Sequence, residues 1–198
     1  MQLIYSPTSP FVRKVLICAH ELGLNTRLTR LPADPWKQPP ELLALNPLSK
    51  VPALLTDDGQ ALYDSPVICE YLDSLAGGVL YPAGAARWTA LRLQALADGM
   101  LDAAVLRRME SQRPAAQQSA DWLELQRQAV ARGVDAFEAE AAWLDGPLDI
   151  GQIAAACALG YLDFRFAHED WRAAHPRLAT WHAGFSQRPA YALTTPHG

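Results

Sequence analysis

The sequence predicts an α/β half followed by an all-α half, on three observations. Through about residue 78, short apolar strands alternate with helical stretches. From about residue 86 the strand signals vanish and long helical periodicity takes over. Between the two lie Gly77-Gly78 and Tyr81-Pro82-Ala83-Gly84, a run of turn formers. The expected organisation is residues 1–78 as an α/β domain, 79–86 as linker and 87–198 as an all-helical domain. With 198 residues, half of them AVILMFWYC, the chain can bury one large core or two small ones.

Leu3-Ile4-Tyr5 reads as a strand, and Pro10 to Leu22 as a helix closed by Gly23 at its C-terminus. Asn25 to Leu31 alternates like a second strand. A proline-rich loop, Pro32 to Pro40, precedes a short helix at Glu41 to Leu45. Val51-Pro52-Ala53-Leu54-Leu55 and Gln60-Ala61-Leu62-Tyr63 form a hairpin around Asp57-Asp58-Gly59. Asp64-Ser65-Pro66 then starts a helix running through Leu72. The order implies a small mixed sheet.

In the second half, Arg87 to Met109 places Leu91, Ala95, Leu101 and Val105 near helical spacing, with Asp98 the exception. Ser119 to Leu144 reads as one long helix, with Trp122, Leu125, Val130, Val134, Phe137 and Ala141 along one face. Asp149 and Gln152 have the spacing of a capping box, which opens a very apolar helix over Ile153 to Phe164. A last helix lies around Pro176 to Gln187.

Seventeen basic and 21 acidic residues give a net charge of -4 without a basic stripe, which argues against nucleic acid as a partner. Cys18, Cys69 and Cys157 are widely spaced in apolar stretches, as expected of buried thiols in a reducing compartment. The five histidines, His20, His168, His175, His182 and His197, form no grouping with metal-ligand spacing, so no metal is expected. The start lacks a basic segment followed by an apolar one, and no apolar run is long enough to span a bilayer. A soluble, cytoplasmic chain without a membrane partner is the expectation.

Three short features carry chemistry. At Ser9-Pro10 a helix begins with a good N-cap and a first-turn proline. Its unpaired amides and positive dipole end attract an anion, and the hydroxyls of Ser6, Thr8 and Ser9 lie at or near that end. A thiol held there is driven toward thiolate, and as no cysteine occupies the spot the thiol must come with a ligand. At Lys50-Val51-Pro52 a cis peptide would turn the Val51 backbone outward to pair with an extended peptide. At Asp64-Ser65 a second helix start offers a hydroxyl and amide to a carboxylate, and an anion to an amine.

In this order the features resemble those of the soluble glutathione transferases. The most specific stretches are Leu45-Asn46-Pro47-Leu48-Ser49-Lys50-Val51-Pro52-Ala53-Leu54 and Tyr63 to Leu72, and Thr8 to Val15 resembles the bacterial serine-type members. The resemblance covers nearly the whole chain and implies a thioredoxin-like domain followed by a helical bundle. It also implies glutathione as co-substrate, a small hydrophobic electrophile as second substrate, and a homodimer to which Tyr71, Trp88 and the first long helix of the second half contribute. Carried over to this sequence, Ser9 stabilises the thiolate, with Thr8 and Ser6 as alternatives. Val51 pairs with the cysteinyl unit beside the cis-proline Pro52. Ser65 holds the γ-glutamyl carboxylate and Asp64 the amino group, while Lys50, with Trp36 or Lys37, reaches the glycyl carboxylate. The electrophile lies between the halves, lined from the second by Met100, Ala104, Arg107 and Arg108.

Two departures stand out: Asp64 where the family more often has Glu or Gln, and Asp149 with Gln152 where it has Ser or Thr with Asp. Two other functions compete with transfer. A non-catalytic scaffold would keep the fold without turnover. A glutathione-dependent thiol-disulfide reductase would need a protein thiol at the first helix start, where Ser9 stands.

Overall fold

A computed structural model describes residues 1–196. Among them the chain forms β1 (Gln2–Tyr5), α1 (Pro10–Glu21), β2 (Thr29–Pro32), α2 (Pro40–Leu45), β3 (Ala53–Leu55), β4 (Ala61–Leu62) and α3 (Ser65–Leu75). The helices α4 (Ala85–Ser111), α5 (Ala120–Ala139), α6 (Ala141–Leu144), α7 (Ile150–Arg165), α8 (Pro176–Phe185) and α9 (Pro189–Ala192) follow. They group into two compact units, residues 1–87 joined by the segment from Arg188 onward, and Trp88–Gln187.

In the first unit the sheet order is β2-β1-β3-β4, with β2 parallel to β1 and the other pairs antiparallel. Leu3 and Ile4 of β1 and Ala53 and Leu54 of β3 are buried, as are Val15, Ile17 and Cys18 of α1 and Ile68, Cys69 and Leu72 of α3. Gly23 adopts φ 69° just past α1, with its amide on the His20 carbonyl and the Leu24 amide on that of Ala19, so its freedom at positive φ ends the helix. The second strand is shorter than expected: Asn25–Arg27 is a 3₁₀ turn, and only Thr29–Pro32 pairs with β1.

Asp73 organises the exit from α3. Its buried carboxylate accepts the amides of Val79 (2.8 Å), Leu80 (2.7 Å) and Tyr81 (3.3 Å), fixing the segment that the glycines make flexible in sequence. Arg188 and α9 pack on α1. Arg188 pairs bidentately with Glu21, and the Arg13 guanidinium donates to the Tyr191 carbonyl while stacking 3.8 Å from that ring's centre.

In the second unit, α7 is buried from Ile150 through Leu162 and forms the centre. Gly151 brings it close to α4, since a Cβ there would lie 3.0 Å from the Ala90 carbonyl oxygen. Three expectations need correction. The buried stripe of α4 is Ala90, Leu93, Gln94, Ala97, Met100, Leu101, Ala103 and Ala104, not the one through Leu91, Ala95 and Val105. Small alanines build the close contacts, which hydropathy underweights. The predicted helix to Leu144 breaks at Glu140, whose carboxylate Arg92 of α4 grips, and Trp122 and Leu125 of its expected face are exposed. Asp149 does cap α7, accepting the Gln152 amide at 3.0 Å, but Gln152 does not return the bond. Its side-chain amide donates instead to the carbonyls of Trp143, Leu144 and Gly146, closing the turn after α6.

Candidate functional site

The strand register gathers the three features at one edge of the sheet. Ile4 faces Ala53 and Leu54 faces Leu62, so the C-terminal ends of β1 and β4 flank the start of β3. Parallel pairing sets the end of β2 beside Tyr5, whose carbonyl accepts the Ala33 amide at 2.8 Å. The loops carrying Ser9, Trp36, Lys37, Lys50, Val51, Asp64 and Ser65 therefore all leave the sheet on the same side. Ile4, Leu42 and Ala53 pack together beneath that edge, with Ala33, Leu45 and Val51 against them.

Ser9 closes the turn after β1, its amide donating to the Ser6 carbonyl at 3.1 Å. It is the N-cap of α1, with extended backbone and Oγ accepting the Val12 amide at 3.3 Å, and Pro10 is the first helical residue. A serine oxygen that accepts from a helix amide keeps its own O–H to donate. Ser6, Thr8 and Ser9 are all half-buried at this helix start, so the three hydroxyls stay candidates.

The turn before β3 is held by Asn46, a residue given no role in the sequence reading. Almost fully buried, it accepts the Leu48 amide at 3.0 Å and donates to the Lys50 carbonyl at 2.9 Å. Ser49 adopts φ 52° and its hydroxyl donates to the Pro35 carbonyl at 3.0 Å, tying this turn to the proline-rich loop. That loop is a 3₁₀ turn capped by Asp34, from which Trp36 stands 69% exposed and Lys37 lies 3.6 Å from the Asp34 carboxylate. Lys50 is exposed. The Val51-Pro52 peptide is cis, and Val51 lies outside the β3 ladder, which begins at Ala53. An Asn directly before Pro in a turn was the available signal for Asn46.

The third feature is the start of α3. The Tyr63-Asp64 peptide is also cis, and Asp64 is an exposed N-cap residue whose carboxylate makes no capping bond. Ser65 behind it is only 1% exposed, and its Oγ is buried with no hydrogen-bond partner. Buried hydroxyls are nearly always paired. An unpaired one at the positive end of an 11-residue helix fits an anion acceptor brought by a ligand.

The four second-half candidates lie in the helical unit. Met100 and Ala104 are core residues, Met100 lying where any side chain on Gly133 would have to go. Arg107 pairs bidentately with Glu169 and sits 4.5 Å over the Phe166 ring. Arg108 is half-exposed and donates to Gln112 at 3.1 Å. Cys18, Cys69 and Cys157 are buried and unbridged. Among the described residues no group of His, Cys, Asp or Glu is arranged to hold a metal ion, and no helix is long and apolar enough to cross a membrane.

Residues 8–75 match the family described as Glutathione S-transferase, N-terminal domain, and residues 120–184 the family described as Glutathione S-transferase, C-terminal domain. The uncharacterized GST-like protein YibF of Escherichia coli (strain K12) is 36% identical over 203 residues, covering 99% of this chain and 98% of its own. A glutathione transferase family member of Pseudomonas fluorescens Pf-5, crystallised with bound glutathione, is 43% identical with a TM-score of 0.95, over 100% of this chain and 99% of that one. A glutathione S-transferase of Methylobacillus flagellatus KT, crystallised with GSH bound, is 34% identical with a TM-score of 0.90, over 99% of each chain.

Proposed function

The chain belongs to the glutathione S-transferase family, and from that premise we propose that it binds glutathione at the loop-bearing edge of its sheet and activates the thiol for attack on an electrophilic carbon. The observation that carries the reading is the Ser65 hydroxyl, buried without a partner behind the uncapped Asp64 carboxylate. A ligand bearing both a carboxylate and an ammonium, as a γ-glutamyl group does, satisfies the two at once. The Val51 backbone pairs with the cysteinyl unit, and Lys50 with Trp36 or Lys37 receives the glycyl carboxylate.

The Ser9 O–H and the first-turn amides of α1 favour the thiolate over the thiol. The thiol proton leaves to solvent. Sulfur then bonds to the electrophilic carbon of a hydrophobic substrate, and the leaving group departs with its electron pair. Holding both reactants together supplies much of the acceleration. Of the electrophile-side candidates we retain Arg108, because Met100 and Ala104 are enclosed in the core and Arg107 is taken by Glu169. Disulfide chemistry is the weaker reading, since Cys18, Cys69 and Cys157 are buried within helices and none stands at the start of α1.

Calorimetry with glutathione tests the proposal. Ser65→Ala is expected to weaken binding about tenfold, the scale of one hydrogen bond to a charged group. It should leave thermal stability unchanged or slightly higher, because the hydroxyl it removes has no partner in the fold. Absence of binding by the unsubstituted chain at millimolar glutathione would falsify the proposal.

A further inference from the structure

A single hydrogen bond joins the proline-rich loop to the turn before β3. Among the described residues, the stretch from Asp34 to Gln38 makes its other polar contacts within itself. The amides of Trp36 and Lys37 donate to Asp34, that of Gln38 donates to the Pro35 carbonyl, and Lys37 pairs with the Asp34 carboxylate. The exception is the Pro35 carbonyl, which also accepts the Ser49 hydroxyl at 3.0 Å. Apolar packing adds little grip, since only Pro35 of this stretch is half-buried and the rest, Trp36 included, is exposed. One serine hydroxyl thus fastens an otherwise exposed loop.

Ser49 reaches that carbonyl from a backbone conformation that serine seldom adopts. Its φ of 52° lies in the left-handed region. Its amide donates to the Asn46 carbonyl at 2.9 Å, and the buried Asn46 side chain binds the Leu48 amide and the Lys50 carbonyl, which enforces the turn. A glycine would take this φ freely. Serine costs more there, and what it adds is the hydroxyl on Pro35. The two ends of the bond also carry the exposed cations of this edge: Lys37 lies two residues past Pro35, and Lys50 directly follows Ser49. The surface pair of Lys37 with Asp34, 3.6 Å apart, restrains its ammonium only weakly.

We propose that Ser49 is a positioning residue for the C-terminal end of the thiol ligand. Its hydroxyl latches the Trp36-Lys37 loop against the Lys50 turn, so that a terminal carboxylate is received by both. This rests on the glutathione reading above and adds to it a residue that sets selectivity for a free glycyl carboxylate. Ser49 touches no reacting atom.

Calorimetry on the full chain compares glutathione with its glycyl amide, which keeps the γ-glutamyl and cysteinyl units and loses only the terminal charge. The unsubstituted chain is expected to bind glutathione about tenfold more tightly than the amide, the scale of one hydrogen bond to a charged group. Ser49→Gly removes the hydroxyl where glycine is relaxed. Thermal stability should therefore be kept, while the ratio falls below about threefold through loss of glutathione affinity. Ser49→Ala lacks the hydroxyl but keeps the strain; it should give the same ratio, and it reads the latch even where Ser49→Gly fails to fold. A ratio that survives in these variants, as when both ligands weaken in parallel from a general loosening of the turn, overturns the inference and leaves the glutathione reading standing. Equal affinity of the unsubstituted chain for glutathione and its amide does the same. Failure of that chain to bind either ligand overturns both.

Discussion

A serine hydroxyl can cap a helix and still serve a ligand, and Ser9 has the geometry for both. Its oxygen accepts the Val12 amide while its proton stays available. Ser9→Ala is therefore expected to lower stability by about 1 kcal/mol, as for other lost caps, and to raise the pKa of bound glutathione. Ultraviolet titration of the thiolate reads the second effect; an unchanged pKa would shift the role to Thr8 or Ser6. Asn46 acts one step removed, through the Leu48 amide and the Lys50 carbonyl. Asn46→Ala should raise KM for glutathione more than it lowers kcat, because it loosens the turn carrying Lys50 and Val51 and touches no reacting atom. A kcat loss at unchanged KM would contradict that assignment. Serine caps and an Asn-Pro turn are local devices, and local devices are legible in sequence. The unpaired state of the Ser65 hydroxyl is not legible, because it depends on every neighbour that declines to bond it.

At the scale of elements, α5 and α8 are joined by two polar contacts. Glu138 accepts the amides of Arg177 and Leu178 at the start of α8, and His175 just before it binds Asp135 at 2.8 Å and the Trp171 carbonyl. Burial alone would lower the His175 pKa, but Asp135 and the carbonyl outweigh it and the net shift is upward from 6.5. A raised folded-state pKa stabilises the protein below the unfolded value, and that increment is lost as pH rises through the folded pKa. Thermal unfolding should thus show a stability decrement above about pH 6.5 that disappears in Asp135→Asn; an identical pH profile in the variant would refute the linkage. Helix positions themselves were largely predictable from periodicity. The break at Glu140 was not, because no glycine or proline marks it.

For the molecule as a whole, the segment from Arg188 onward joins the first unit although the whole stretch after residue 87 reads as helical in sequence. Tyr191 covers the buried Arg13 guanidinium of α1 with its ring. Tyr191→Ala is expected to destabilise the protein by about 3 kcal/mol, as for other large-to-small aromatic truncations, measured by chemical denaturation. A loss under about 0.5 kcal/mol, typical of surface positions, would mean that the segment is dispensable. By itself the sequence determined the α/β-then-helical order, the helix starts at Ser9-Pro10, Asp64-Ser65 and Asp149, and the family motif around Val51-Pro52, because capping, turn chemistry and periodicity act over a few residues. Only the tertiary structure decided which face of α4 is buried, what Gln152 bonds and where the last segment packs. Those outcomes depend on partners far apart in the chain, whose meeting is fixed by how the core closes.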